Sequence, residues 1–147
     1  MQVLLVSERM SLSRTSEECR SNCPINYVLE TFGDRWTLLI VRDLMFNNKN
    51  TYGAFLESAE GISTNILAER LKRLEDHGIV DKAVDADNRS RVNYSLTQKG
   101  KDLVPVMLEI AAWSAKHDAK TNAPKDFLTR FRGARDKMIK ATLDKLK

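Results

Sequence analysis

The stretch between residues 61 and 78 constrains the fold of this chain more than any other part of its sequence. Ser63 is a natural helix N-cap, and Ile62 and Leu67 occupy the two positions of a hydrophobic staple around it. Together with glycines at both ends of the stretch, these signals predict a helix over residues 64–76. The apolar stripe of that helix is predicted to be Leu67, Leu71 and Leu74. Such a helix must pack its leucines against other elements of the chain.

The opposite face of this predicted helix carries side chains that suit the edges of DNA bases. Asparagine can bond adenine at two atoms, lysine can bond the acceptors of guanine, and a small Ala68 lets the backbone approach closely. Ser63 and Thr64 would stand at the helix N-terminus, where N–H groups and hydroxyls can hold a phosphate. From this helix alone, an ordinary solvated polar face is the commoner explanation. The outward residues are Asn65, Ala68, Glu69, Lys72 and Arg73.

Three helical patterns precede this segment. Pro24 suits the first position of a helix, and apolar residues recur at helical spacing until Gly33 stops the pattern. Asp34 can cap a second helix that is apolar around much of its circumference, as expected for the centre of a domain. After the turn residues at 47–50, residues 52–58 predict a short third helix.

A predicted β-hairpin follows. Residues 80–86 and 92–96 are short strand-like runs, and the polar segment between them favours a loop. Arg89 and Arg91 in that loop could contact a minor groove or flanking phosphates. Two nearby aspartates offset part of the charge, so a loop that serves only solubility is the alternative.

The last third of the chain is predicted to be helical. Thr97 caps a long helix that Pro105 is expected to kink, and Pro124 begins another amphipathic helix. The complete order is three helices, a fourth helix, a two-stranded hairpin and long terminal helices. That order predicts an α+β fold, mostly α-helical, of the winged helix-turn-helix type.

Composition and missing motifs exclude several classes of function. With 42% hydrophobic and 30% charged residues, the chain has enough apolar material for a core, and its net charge of +4 is compatible with a polyanionic partner. It has no glycine-rich phosphate loop and no Ser-His-Asp context, so we expect neither an enzyme nor a cofactor. Cysteine and histidine spacing predicts no metal site, and no apolar run approaches the ~20 residues of a membrane span. We therefore expect a cytoplasmic protein with no membrane partner.

Short motifs occur in a fixed order between Cys23 and Trp113. They are Cys-Pro at 23–24, Gly-Asp-Arg-Trp-Thr-Leu-Leu-Ile at 33–40, Gly-Ile-Ser at 61–63, Leu-Lys-Arg-Leu-Glu-Asp-His-Gly-Ile-Val at 71–80 and Tyr-Ser-Leu-Thr-Gln-Lys-Gly at 94–100. In this order they resemble the HxlR-type regulators, relatives of the MarR winged helix group. The resemblance implies a homodimeric transcriptional repressor or activator that binds double-stranded operator DNA and pairs through N-terminal and C-terminal dimerisation helices.

The resemblance also suggests how the chain is divided. We expect a flexible N-terminal arm at 1–22, an HxlR-type winged helix DNA-binding domain at 23–119 and an additional C-terminal helix at 120–147. We assign the last part to dimerisation, because an amphipathic helix must cover its apolar stripe. A winged helix module that binds protein instead of DNA is the alternative function. The predicted DNA contacts are Ser63, Thr64, Asn65, Ala68, Glu69, Lys72, Arg73, Arg89 and Arg91.

Cys23 occupies the predicted N-cap of the first helix, where the positive end of the helix dipole favours a thiolate. Some HxlR-type members sense oxidants or electrophiles through a cysteine at the matching position. The resemblance therefore implies an oxidant or small-molecule effector that acts through Cys23. A small buried hydrophobe that packs the first helix is the alternative. Cys19 lies four residues upstream, and a bridge within the chain or across the dimer is equally open.

Overall fold

The computed structural model describes residues 19–146, so most of the arm expected at 1–22 lies outside the described residues. It confirms a mostly helical α+β fold with a two-stranded sheet. The elements in chain order are α1 (Pro24–Phe32), α2 (Thr37–Phe46), α3 (Tyr52–Leu56), α4 (Thr64–Asp76), β1 (Val80–Val84), β2 (Val92–Leu96), α5 (Gln98–Lys101), α6 (Val104–His117), α7 (Phe127–Gly133) and α8 (Arg135–Lys145).

The core forms where α2, α4, the hairpin and α6 meet. All three predicted leucines of α4 are buried, and their neighbours include Val41 of α2 and Val104 of α6. Burying a leucine side chain contributes roughly 1.5–3 kcal/mol each, so this stripe fixes the rotation of α4 about its axis. The stripe consists of Leu67, Leu71 and Leu74. The polar face of α4 is therefore directed away from the core.

Asp34 caps α2, as the sequence predicts, although the helix itself begins only at Thr37. Its Oδ1 accepts hydrogen bonds from the backbone N–H of Trp36 at 2.8 Å and of Thr37 at 3.0 Å. The hydroxyl of Thr37 also donates to Asp34 Oδ2. This cap satisfies the first N–H groups of a helix whose residues are largely buried.

Two glycines shape the backbone around the end of α4: Gly78 directly follows the helix, and Gly100 of α5 packs against Ile79. Gly78 has φ +69°, and the N–H groups of Gly78 and Ile79 donate to the carbonyls of Glu75 and Leu74, both at 2.9 Å. This pair of hydrogen bonds is the Schellman motif, which favours glycine at the left-handed position. At Gly100 a Cβ atom would lie 2.3 Å from the Ile79 carbonyl oxygen, so only glycine lets α5 approach β1 this closely.

The hairpin is antiparallel, and its register runs from the pair Val80↔Leu96 to the pair Val84↔Val92. β1 ends two residues earlier than predicted. A third segment, not predicted, extends the sheet edge: Thr51 forms a bridge with Asn93, beside a hydrogen bond from Tyr94 N–H to the Asn50 carbonyl at 2.7 Å. The hairpin is thereby attached to the turn that begins α3.

The predicted long helix after Thr97 is two helices, α5 and α6, so the expectation of one kinked helix is wrong. Pro105 occupies the first turn of α6, where its missing N–H costs no hydrogen bond. The single helix predicted beyond residue 120 is likewise divided into two helices, α7 and α8. The break between them lies at Ala134 (φ −147°, ψ 44°).

The C-terminal helices fold back on α6 of the same chain. Phe131 of α7 is 4% exposed, and residues Met138, Ile139 and Leu143 of α8 pack against the same core. The apolar stripe of this region is thus largely covered within one chain. It does not by itself require a second copy, which removes the reason for assigning residues 120–147 to dimerisation.

Neither a transmembrane helix nor a metal cluster occurs in the described part of the chain. Over residues 19–146, every helix is too short or too polar to cross a membrane. In the same range, histidine, cysteine and acidic side chains form no group of three or more suited to a metal ion.

Candidate nucleic-acid interface

The exposed face of α4 brings most of the predicted DNA-contacting residues together. All of its members are solvent-exposed, opposite the buried leucines. They comprise Ser63, Thr64, Asn65, Ala68, Glu69 and Lys72. We call this set the α4 polar face.

The first turn of α4 is held in place from two sides. Ser63 Oγ accepts a hydrogen bond from the backbone N–H of Ile66 at 3.4 Å, which caps the helix and leaves the hydroxyl proton for another acceptor. The Tyr52 hydroxyl of α3 donates to the Thr64 carbonyl at 2.5 Å. The end of α4 that would meet a phosphate is therefore fixed before any ligand binds.

The charged members of the α4 polar face are engaged within their own helix. Lys72 Nζ lies 2.9 Å from Asp76 Oδ2, and this hydrogen bond raises the pKa of Lys72. Glu69 pairs with Arg70. The Lys72 side chain is 71% exposed. A base edge can therefore replace Asp76 as the partner of its ammonium group, and no buried contact has to break.

Arg73 does not join the α4 polar face, contrary to the prediction. It is half-buried, and its Nη2 donates to the Glu30 carbonyl near the end of α1. The helical wheel placed Arg73 outward because it takes no account of a neighbouring helix. The guanidinium group instead links α1 to α4.

Arg70 is a functional candidate that the sequence reasoning missed. Its Nε lies 3.0 Å from Asp34 Oδ1, and both side chains are less than one-fifth exposed. Burial opposes ionisation of Asp34, but hydrogen bonds from Thr37, the Trp36 N–H and Arg70 together lower its pKa from 3.8 to about 2. The pair joins the cap of α2 to the middle of α4 and so sets the angle between these helices.

The hairpin loop at 85–91 has a defined structure that Asp85 organises. Its Oδ1 accepts from the N–H of Asp87 at 2.9 Å, and its Oδ2 accepts from Asn93 Nδ2 at 3.2 Å. These bonds lower the pKa of Asp85. Arg89 and Arg91 are exposed on this loop. Asp85, whose charge partly offsets that of the arginines, therefore shapes the loop that presents them.

Side-chain hydrogen bonds tie the end of α4 to the hairpin and α5. The Thr97 hydroxyl lies 2.6 Å from the Gly78 carbonyl oxygen, to which it donates. Lys99 Nζ donates to the His77 carbonyl at 2.8 Å. The C-terminal end of α4 is thereby fixed against the chain that directly follows β2.

A second polar cluster supports the turn before α4. Arg42 of α2 binds Glu60 with two parallel hydrogen bonds, of which the Nη2–Oε2 bond is 3.0 Å long, and also contacts the buried Asp43. Hydrogen bonding by Arg42 is the main cause that lowers the pKa of Glu60 to about 2. Glu60 directly precedes Gly61, so this bridge anchors the chain just before the α4 cap.

The two cysteines are free thiols. Cys23 is the N-cap residue of α1, as predicted, and is exposed, so it does not pack in the core of this chain. Its side chain makes no capping hydrogen bond. Cys19 is partly buried.

The family model described as HxlR-like helix-turn-helix matches residues 31–122, a span that holds α2, α4, the hairpin and α6. The chain belongs to this HxlR-like family. The C-terminal helices α7 and α8 lie beyond the matched span.

Relatives of this HxlR-like protein carry names of transcriptional regulators. The HTH-type transcriptional regulator sll1512 of Synechocystis sp. is 37% identical over 86 residues, which cover 58% of this chain and 63% of the relative. YodB of Bacillus subtilis, also an HTH-type transcriptional regulator, is 38% identical over 93 residues, which cover 63% of this chain and 82% of YodB.

Solved structures of two such proteins share the fold. The reduced form of YodB aligns with a TM-score of 0.55 and 33% identity, covering 68% of this chain and 98% of YodB. The redox regulator HypR in its oxidised form aligns with a TM-score of 0.58 and 28% identity, covering 65% of this chain and 97% of HypR. The winged helix-turn-helix assignment is therefore confirmed.

Proposed function

We propose that this HxlR-like protein is a transcriptional regulator, without enzymatic activity, that binds double-stranded operator DNA in the cytoplasm as a homodimer. The observation that carries the proposal is the α4 polar face, which is exposed along the helix while the opposite leucine stripe is fully buried. A helix with this division of faces fits the major groove of B-DNA.

Each part of the interface has a distinct role in this proposal. Ser63 and Thr64 hold a backbone phosphate at the α4 N-terminus. Asn65, Lys72 and the small Ala68 contact base edges, and Glu69 accepts from a cytosine amino group. The loop arginines Arg89 and Arg91 contact flanking phosphates or the minor groove.

Exposed apolar side chains on α1 and α6 support the homodimer. Ile25 of α1 is 72% exposed and Trp113 of α6 is 68% exposed, and exposed apolar patches on a single chain often mark protein–protein contacts. Other exposed apolar residues on these two helices are Val28, Leu29 and Val106. A two-fold dimer implies a nearly palindromic operator whose half-sites lie about 10–10.5 base pairs, or a multiple of that, apart.

We further propose that Cys23 makes the regulator responsive to oxidants or electrophiles, with Cys19 as its partner thiol. Cys23 is exposed at the N-cap of α1, so dissolved oxidants and electrophiles can reach its thiol. Solved structures of the relatives include an oxidised form of HypR and quinone-bound and diamide-treated forms of YodB. Those states support a thiol-based effector for this chain.

Salt titration of duplex binding separates this function from a winged helix module that binds protein. DNA affinity should fall steeply with salt, with a log-log slope of about −0.9 for each phosphate neutralised. We expect a labelled duplex that carries the chain's own upstream region to show this slope in fluorescence anisotropy. Failure to bind any duplex at low salt would reject DNA binding and favour the protein-binding module.

A further inference from the structure

A cleft of about 550 Å³ lies between α2, α6 and the segment that leads into α7. Leu38, Leu39 and Phe46 line it from α2, while Met107 and Ile110 line it from α6. This volume falls within the roughly 300–1,000 Å³ of small-molecule sites, and a mostly apolar lining is typical of them. The cleft is separate from the α4 polar face and from Cys23.

The outer wall of the cleft comes from the C-terminal part of the chain. Residues 122–124 and Phe127 form that wall, and all except residue 122 lie beyond the span that matches the family model. They are held there because α7 packs on α6 through Phe131. The C-terminal part of the chain thus supplies one wall of an open cleft that the matched span alone would lack.

Charge indicates which ligand the cleft accepts. Of the lining residues in the described part of the chain, only Arg42 is charged, and its guanidinium is bonded to Glu60 and Asp43. A ligand carboxylate would have to displace one of these carboxylates, and a ligand cation would meet the guanidinium. Two carboxamides, Asn47 and Asn122, can bond a hydroxyl or carbonyl group. The cleft therefore favours an uncharged ligand.

We propose that this cleft binds an uncharged, largely apolar molecule that bears a hydroxyl or carbonyl group, and that the bound molecule changes DNA affinity. The inference rests on the proposed function. Coupling runs through Arg42, which contacts both the cleft and Glu60. Because Glu60 directly precedes Gly61 and the α4 cap, a ligand that shifts Arg42 shifts the start of α4.

Calorimetry on the purified full-length protein tests the binding step without DNA. We expect saturable binding of 1-naphthol at neutral pH, and binding of 1-naphthoate that is at least about tenfold weaker, a difference of about 1.4 kcal/mol. No saturable binding of 1-naphthol, or equal binding of the two probes, would overturn the site. If a second copy of the chain filled the cleft in solution, the result would be no binding.

Two variants locate the binding. Ala111→Phe and Ala123→Phe place a ring inside the cleft, and each should weaken 1-naphthol binding at least about tenfold. Ala119→Phe introduces the same side chain at an exposed position outside the cleft and should leave binding within about twofold. Circular dichroism melts verify that all three variants fold. Unchanged binding in both folded cleft variants would place the probe elsewhere.

The regulatory step is measured as the ratio of duplex affinity with and without saturating 1-naphthol. The parent protein should show a change of at least about threefold, and Glu60→Gln should bind the probe but show a ratio near one. A ratio near one in the parent overturns the coupling. If the parent binds the probe but no duplex, the proposed function fails while the ligand site stands.

Discussion

Arg70 of α4 and Asp34, the cap of α2, form an ion pair with an Nε–Oδ1 distance of 3.0 Å across 36 positions of the chain. The carboxylate simultaneously accepts the first N–H groups of α2. One side chain therefore begins the central helix and fixes α4 against it. Its ionisation should be linked to folding.

Asp34→Asn should destabilise the protein in a pH-dependent way. The pKa of Asp34 is about 2 in the folded chain, below its reference of 3.8, so its charge stabilises the fold above about pH 4. That contribution, on the order of 2 kcal/mol, disappears as the pH falls toward 2. In urea unfolding, the difference in unfolding free energy between parent and variant should thus be large at pH 6 and smaller at pH 2.5. Asp81→Asn, at an exposed position of β1, is the control. A difference that does not vary with pH would contradict the assignment.

Asn65→Ala and Lys72→Ala should each weaken operator binding by about ten- to a hundredfold and relax the preference at one base position. Both residues are exposed on the α4 polar face, so the losses do not reflect unfolding. Arg89→Ala, on the hairpin loop, should weaken all duplexes alike and make the salt slope about 0.9 less steep. Competition against a set of single-base operator variants measures these preferences. Equal losses on every duplex for all three variants would reject this division of roles.

Arg73→Met should reduce stability and leave base preference unchanged. The variant keeps the aliphatic stem but removes the donor to the Glu30 carbonyl, which should cost about 1–3 kcal/mol of unfolding free energy. Lys72→Met, one residue earlier on the exposed face, is the matched comparison and should show the reverse pattern. Altered base preference in Arg73→Met, with unchanged stability, would return Arg73 to the DNA-contacting set.

Trp113→Glu should convert the proposed dimer to a monomer. Trp113 is largely exposed on α6, and a buried unpaired carboxylate is strongly unfavourable in an apolar interface. Val84→Glu is the control, since Val84 is 61% exposed but lies at the hairpin. Light scattering after size exclusion reports the mass. A dimer that persists in Trp113→Glu and dissociates in Val84→Glu would move the interface to the hairpin.

Cys23→Ser should abolish the effect of oxidants on DNA binding. In the parent, diamide is expected to lower operator affinity, and a thiol reductant is expected to restore it. Cys19→Ser shows whether the neighbouring thiol is needed for that change. Release of Cys23→Ser from DNA by diamide, to the same extent as the parent, would exclude Cys23 as the sensor.

The sequence predicted the helices that have strong local signals. Pro24, Gly33, Ser63 and Gly78 mark the ends of α1 and α4, and the structure places those ends within two residues of them. Caps and turns depend on neighbouring residues, so a single sequence reveals them. The same reasoning failed at Pro105, because proline can either kink a helix or begin one, and packing decides which.

The parts of the site that depend on distant residues were not predictable. Nothing in the local sequence pairs Arg70 with Asp34 or Arg73 with Glu30, because each contact depends on how α4 packs against an earlier helix. Periodicity predicts an amphipathic helix with an apolar stripe in the C-terminal part of the chain. It does not reveal which surface covers that stripe. That surface is α6 of the same chain.

The hydrogen bonds from Thr97 and Lys99 to the carbonyls at the end of α4 have a consequence for the operator. They fix the end of α4 against the chain that directly follows β2, so in the proposed DNA complex the α4 polar face and the hairpin approach the duplex as one unit and each protomer spans a fixed length of it. Half-sites of unequal length must then be accommodated by bending of the DNA or by rotation between protomers.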